Sequence, residues 1–224
     1  SLRRRQRQMC IRDSIMDEMK GTRYPIFGFV TGGTGAFNDG IPPQPYETFA
    51  YDLALHEAGI ENFNVIPYTS VMPPEIRGNL VTITPEMNQK FHYLPFRPDI
   101  KDQFHHGAVL EVIIAGSGAN YAEHKAIATG VGIVWAKKNG KFVGGFAAEY
   151  VQYYDSKIDD EIAGAEARMW LNKSLNHELS MRGMEQDGDK ELFHNFINIP
   201  SDNPFAYCLT AIGFLNFGYA PLAK

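Results

Sequence analysis

The stretch Asp52-Leu-Ala-Leu-His-Glu-Ala-Gly-Ile-Glu-Asn-Phe-Asn64-Val-Ile-Pro-Tyr-Thr69-Ser70-Val-Met-Pro-Pro74 contains a helix end, a strand and an enforced break, in that order. Gly59 is a helix stop, because glycine enters the left-handed region without a Cβ penalty. Residues 63–68, FNVIPY, have the β-branched and aromatic composition of a strand. Pro73 and Pro74 then end regular structure, since proline fixes φ and has no N–H to donate. Two hydroxyl residues, Thr69 and Ser70, stand between the strand and that break. Taken alone they are ordinary, because Ser and Thr favour strand ends.

Upstream, residues 26–31 (IFGFVT) read as a buried strand, followed by a Gly- and Pro-rich loop from Gly32 to Pro45. Thr48 is placed to cap a helix running to about Ala58, with Phe49, Leu53 and Ile60 on one face. Downstream, residues 85–106 mix prolines and polar residues and read as a long loop. Apolar strands are expected over 108–115, 126–135 and 141–153, the last two joined by a hairpin turn at Lys137-Lys138-Asn139-Gly140. The longest helix is expected over 157–182. Ile158, Ile162, Ala165, Met169, Leu171, Leu175 and Leu179 supply its stripe, Ser156 and Asp159 a capping box, and Gly183 its stop. Strands near 193–199 and 207–217 close the chain. This order predicts an α+β fold with helices covering sheet faces.

A chain of 224 residues suits one domain with a substantial core. Its net charge of -5 argues against a nucleic-acid-binding surface and suits a cationic small substrate. Cys10 and Cys208 form no metal-ligand spacing, which points to a reducing cytoplasm. No apolar run has the length for a membrane span, and no apolar segment of a signal peptide follows Arg3, Arg4, Arg5 and Arg7. The opening SLRRRQRQMCIRDS is unlike the remainder and resembles translated sequencing-adapter read-through. Residues 1–20 are therefore set aside as a tail or artefact, with Met16 or Met19 as the natural start, and 21–224 taken as the domain. Val30-Thr-Gly-Gly-Thr-Gly35 invites a dinucleotide reading, but Asn38 stands where a third glycine is needed and Pro42-Pro43 follow in place of a helix. His105, His106, His124, His177 and His194 have no metal-ligand pattern.

Glu149 stands out in the apolar strand Gly145-Phe-Ala-Ala-Glu149-Tyr150. That segment, the Asp52–Pro74 stretch, Gly130-Val-Gly-Ile, and the helical segments 47–55 (ETFAYDLAL) and 169–179 (MWLNKSLNHEL) together resemble the pyruvoyl-dependent arginine decarboxylases, and within them the chlamydial-type branch. The resemblance covers about residues 26–218. It implies an αββα sandwich of two mainly antiparallel sheets with helices outside, and a homotrimer of cleaved protomers with active sites between neighbours.

The resemblance also implies the chemistry. Ser70 attacks the Thr69 carbonyl, the peptide becomes an ester, and elimination and hydrolysis leave a pyruvoyl group at position 70. That ketone forms a Schiff base with arginine and serves as electron sink, with no pyridoxal phosphate and no metal. By position, Asn64 assists processing as a donor to the oxyanion, Glu149 is the proton donor and Asp52 pairs with the guanidinium. Thr69 stands where many relatives have serine; it offers the same carbonyl, and its β-branch alters the rate. The rival readings are the same chemistry on another amino acid, or a trimeric homologue that neither processes nor catalyses.

Overall fold

The computed structural model describes residues 21–38, 45–82 and 106–221. The tail over 1–20 and nearly all of the loop expected over 85–106 lie outside these residues. The first sheet is built on β1 (Gly21–Phe37), which runs antiparallel to β10 (Phe205–Pro221) along its whole length. β10 pairs antiparallel with β5 (Val109–Asn120). Two short strands complete it in parallel: β2 (Asn64–Pro67) on β5 and β4 (Leu80–Thr82) on β1. The second sheet is wholly antiparallel. β3 (Val71–Met72) pairs with β7 (Lys141–Tyr154), and β7 with β6 (Ala126–Lys138); β8 (Glu185–Gln186) and β9 (Glu191–Asn198) pair with the other edge of β6.

The two sheets pack face to face through Val30, Ile113, Val131, Ile133, Ala147, Ile212 and Phe214. Helix α1 (Pro45–Glu57) covers the outer face of the first sheet, where Ala54, Leu55 and Ala58 meet Phe27, Phe29, Leu110 and Val112. Helix α2 (Asp160–Met181) covers the second, where Ala163, Ala167, Leu171 and Leu175 meet Ala126, Ala128, Phe146 and Ala148. This is the expected αββα sandwich. The period-2 alternation of each strand explains the layers: Val131 and Ile133 face the opposite sheet, and Val134 and Ala136 face α2.

Several local expectations are corrected. β1 does not stop at Thr31 but continues through the predicted loop to Phe37. The reason lies in α1. A Cβ on Gly33 would stand 2.1 Å from the Ala54 carbonyl oxygen, and one on Gly35 2.1 Å from that of Ala50. The glycines form a landing strip for a helix, secured where the Glu57 carboxylate accepts from the Thr34 backbone N–H and from Thr34 Oγ1 at 2.7 Å. α1 begins at Pro45, so Thr48 lies inside it rather than capping it. It ends as expected, with Gly59 at φ 73° and Ile60 N–H donating to Leu55 O at 2.9 Å.

In α2 the cap is Asp159 itself, whose side chain accepts from Ile162 N–H at 2.9 Å, and not the Ser156 pair. The predicted stripes are buried only in part: Ile60, Ile158, Leu171, Leu175 and Leu179 are buried as expected, and the other bulky members are not. Ala50, Ala54 and Ala58 face inward while Phe49 and Leu53 are exposed. Likewise Ala163 and Ala167 are buried while Ile162 and Met169 are exposed. The hairpin at Asn139-Gly140 is as read, with φ of 51° and 73°.

Candidate active site

β2 belongs to the first sheet and β3 to the second, so the chain crosses between sheets over Tyr68, Thr69 and Ser70. Both banks of the crossing are secured. On the first, Tyr68 N–H donates to Val112 O at 2.6 Å and the Tyr68 ring packs 5.6 Å from that of Phe214. On the second, Ser70 O accepts from Ala147 N–H at 2.8 Å, and Val71 and Met72 pair with Phe146 and Gly145. Gly144, at φ 120°, lets the strands close: a Cβ there would stand 2.5 Å from Met72 O. Thr69 is exposed and Ser70 half-buried. The Thr69–Ser70 peptide is thus held at each end by a different sheet.

Glu149 lies two residues beyond Ala147 on β7, and strand alternation puts both side chains on the same face. Two residues of strand advance about 7 Å, so Glu149 stands next to the position paired with Ser70. The β7 pairing with β3 ends at Phe146 in the strand register, and the Glu149 side chain keeps a solvent-facing side in the single chain. Even so, burial by its surroundings pushes the carboxyl above its usual range, opposed by a backbone hydrogen bond.

One chain does not gather the other expected residues around this pair. Asn64 opens β2, and its Nδ2 donates to Gly107 O at 2.8 Å. The extended run from Asn64 to Ser70 spans about 20 Å. Asp52 is exposed on α1, outside the first sheet, whereas Glu149 is on the inner face of the second. Sequence reasoning passed over a further group. Glu111 is 8% exposed, and Tyr68 Oη donates to its Oε2 at 2.7 Å. Arg23 Nη2 donates to Glu111 Oε1, and the Arg23 guanidinium lies 4.3 Å from the centre of the Phe217 ring. Burial first, and then the bond to Glu111, raise the Tyr68 hydroxyl above its usual value and keep it a donor. The signal was available: Glu111 is the only charged residue in the apolar run 109–116, VLEVIIAG. Arg23, Tyr68 and Thr69 line a cavity of about 540 Å³ with Tyr24, Pro25, Pro67, Val71 and Pro73.

The family model for pyruvoyl-dependent arginine decarboxylases matches residues 28–218, which include the crossover, Glu149 and both helices. The chain belongs to the pyruvoyl-dependent arginine decarboxylase family. It is 54% identical to the pyruvoyl-dependent arginine decarboxylase AaxB of Chlamydia muridarum over 199 residues, 88% of this chain and 94% of that one. The proteins of the same name from Chlamydia trachomatis and Chlamydia pneumoniae are 53% and 52% identical, the latter over 91% of this chain and 97% of its own.

A pyruvoyl-dependent enzyme derives its cofactor from serine, without pyridoxal phosphate or a metal. The crossover fits a group made at Ser70, since the residue is pinned by β7 on one side and its neighbour Thr69 opens to a cavity. Among the described residues no three His, Cys, Asp or Glu side chains gather as a metal set, and no helix is long and apolar enough to cross a membrane. The Gly32–Gly35 segment lies on β1 and seats α1.

Proposed function

We propose that the chain cuts itself between Thr69 and Ser70, and that the product converts L-arginine to agmatine and CO2. The observation that carries this reading is the crossover: the Thr69–Ser70 peptide bridges two sheets, with its serine fixed on the strand that bears Glu149. Ser70 Oγ adds to the Thr69 carbonyl carbon, and the C–N bond gives way to a C–O ester. Loss of the Ser70 Cα proton and cleavage of the Cβ–O bond release Thr69 as a carboxylate. Water then replaces nitrogen at position 70, and ammonia leaves. When formed, the pyruvoyl ketone supplies an electron sink for decarboxylation of an amino acid.

The chain's own residues do the rest. Glu149 holds a proton in its raised carboxyl and delivers it to the substrate carbon that has lost CO2. Asp52 accepts two parallel hydrogen bonds from the guanidinium. Asn64 donates its amide to the oxyanion formed at Thr69. Because Asn64 and Asp52 lie away from Ser70 and Glu149 within one chain, the working unit is a homotrimer with sites between protomers. Exposed Phe49 and Leu53, which flank Asp52 on α1, support a contact at that surface. Residues 21–224 act as one domain that ends its first fragment at Thr69 and starts its second at 70. Its place is the cytoplasm.

The test is an intact mass under denaturing conditions. Two fragments, with the larger carrying a pyruvoyl group at position 70, followed by agmatine formation from arginine, are expected. A chain that stays whole on long incubation removes the electron sink and overturns the reading.

A further inference from the structure

Self-cleavage by this route creates a charge that the uncut chain does not have. When the Cβ–O bond of Ser70 breaks, its electron pair stays on oxygen and Thr69 departs as a carboxylate, while the Ser70 Cα proton passes to water. That carboxylate appears in the wall of the cavity beside the crossover. Of the residues lining the cavity, Arg23 alone is charged; the others are Tyr, Pro, Val and Thr. A developing anion in such a setting gains from a preoriented cation, and guanidinium offers a planar fork of donors matched to a carboxylate.

Arg23 is preoriented. Its Nη2 donates to Glu111, which is itself fixed by Tyr68 Oη at 2.7 Å, and its guanidinium rests on the Phe217 ring 4.3 Å away. The Arg23 side chain is 43% exposed and that of Glu111 10%. Glu111 is therefore the buried anchor, and Arg23 presents the rest of its five-donor fork outward. Tyr68 couples the anchor to the scissile segment directly, since its backbone is the link before Thr69.

We propose that Arg23 receives the Thr69 carboxylate as it leaves during self-cleavage and afterwards holds it as the new C-terminus of the shorter fragment, with Glu111 and Tyr68 as positioning residues. The inference rests on the self-cleavage reading above. It assigns Arg23 to the second chemical step and not the first, so loss of Arg23 leaves ester formation intact and slows elimination.

The experiment follows cleavage of freshly purified full-length chains by intact mass, with and without a hydroxylamine quench. Hydroxylamine splits the 69–70 ester and gives a fragment beginning with serine, distinguishable by mass from the pyruvoyl product. Arg23→Gln is expected to slow pyruvoyl formation by about tenfold or more and to accumulate the hydroxylamine-sensitive ester. Arg23→Lys, which keeps a charge without the fork, is expected to fall between Gln and wild type. Cleavage of Arg23→Gln at the wild-type rate, or slow cleavage without ester, overturns the inference, the second result assigning Arg23 to folding or to the first step. Where the glutamine chain does not fold, Arg23→Lys decides: no change in the rate of elimination relative to ester formation overturns it. A wild-type chain that never cuts defeats the self-cleavage reading itself, and the inference with it.

Discussion

Thr69 and Ser70 occupy a position where the backbone has left one ladder and has not yet settled into the next, and only Ser70 is tied, through its carbonyl, to β7. A serine that attacks its own preceding carbonyl needs this combination, since the flanks must hold still while the peptide changes geometry. Ser70→Ala removes the nucleophile and nothing else of size. It is expected to remain one chain at full mass and to form no agmatine, checked by denaturing mass and by a product assay on the same sample. Glu149→Gln separates the two reactions: cleavage proceeds, while decarboxylation falls by about 10²–10⁴-fold. Burial raises the Glu149 carboxyl, so its acid form persists to higher pH than an ordinary glutamate. Activity limited by that acid is lost as pH rises through the raised value, and this limb of the pH–rate profile vanishes in the glutamine variant. Stability follows the same sign. The folded carboxyl titrates above the unfolded one, so wild type loses stability as pH rises through that interval. Glu149→Gln therefore melts higher than wild type at neutral pH and alike in acid. Ser70 and Glu149 were singled out by the family resemblance and not by their local pattern, since a serine at a strand end and a glutamate in a half-buried strand are ordinary on their own. The Arg23–Glu111 pair joins positions 88 residues apart, and only the folded sheet brings them together.

The helices show where hydrophobic periodicity misleads. The β6–β7 hairpin, its Asn139-Gly140 turn and the long helix α2 were readable from alternation and turn residues. The helix faces were readable only in part: Leu171, Leu175 and Leu179 are buried as the periodicity predicts, but at Ala50–Ala54 of α1 and Ala163–Ala167 of α2 the helices come too close to their sheets for large side chains. A Cβ on Gly130 would stand 2.9 Å from Phe193 O and 3.2 Å from Leu171 Cδ1, and the residues of α2 that meet this sheet begin with Ala163, Gly164 and Ala167. At these close approaches small residues mark the buried stripe, and Phe49, Leu53, Ile162 and Met169, which a hydrophobicity count favours, face outward. The same closeness explains why Gly32–Phe37 is strand, where glycine content alone suggested a loop. Substitution separates close approach from turn geometry. Gly33→Ala drives a methyl into the α1 backbone and is expected to cost about 3 kcal/mol or more. Gly78→Ala meets open space at φ 78° and is expected to cost about 1–2 kcal/mol, from the left-handed conformation alone. Urea unfolding midpoints of the two variants check this order, and an equal or reversed order contradicts a helix seated on bare glycine.

At the scale of the whole molecule, the residues proposed for one reaction are divided between distant parts of a single chain. Glu149 stands on the inner face of the second sheet beside Ser70, whereas Asp52 points to solvent from the helix outside the first. A guanidinium is too short to bridge two packed sheets, each pair about 10 Å apart, so an arginine bound at Ser70 reaches the Asp52 of another protomer or none. This has a consequence that single variants do not expose. Asp52→Asn is expected to cleave normally and to raise KM for arginine, and Glu149→Gln to cleave normally and to lose kcat. If each site takes Glu149 from one protomer and Asp52 from its neighbour, the two weak chains are complementary. Coexpressed in equal amounts, they form mixed trimers in which about a quarter of sites combine an intact Glu149 with an intact Asp52. Activity at low arginine should then return to about a quarter of the wild-type level, while either variant alone stays low. If both residues serve the same site from the same chain, every site in the mixture carries one defect and no activity returns. Mass in solution gives the matching structural readout: Leu53→Glu, beside Asp52 on the exposed apolar face of α1, should reduce the trimer to monomers and abolish the recovery.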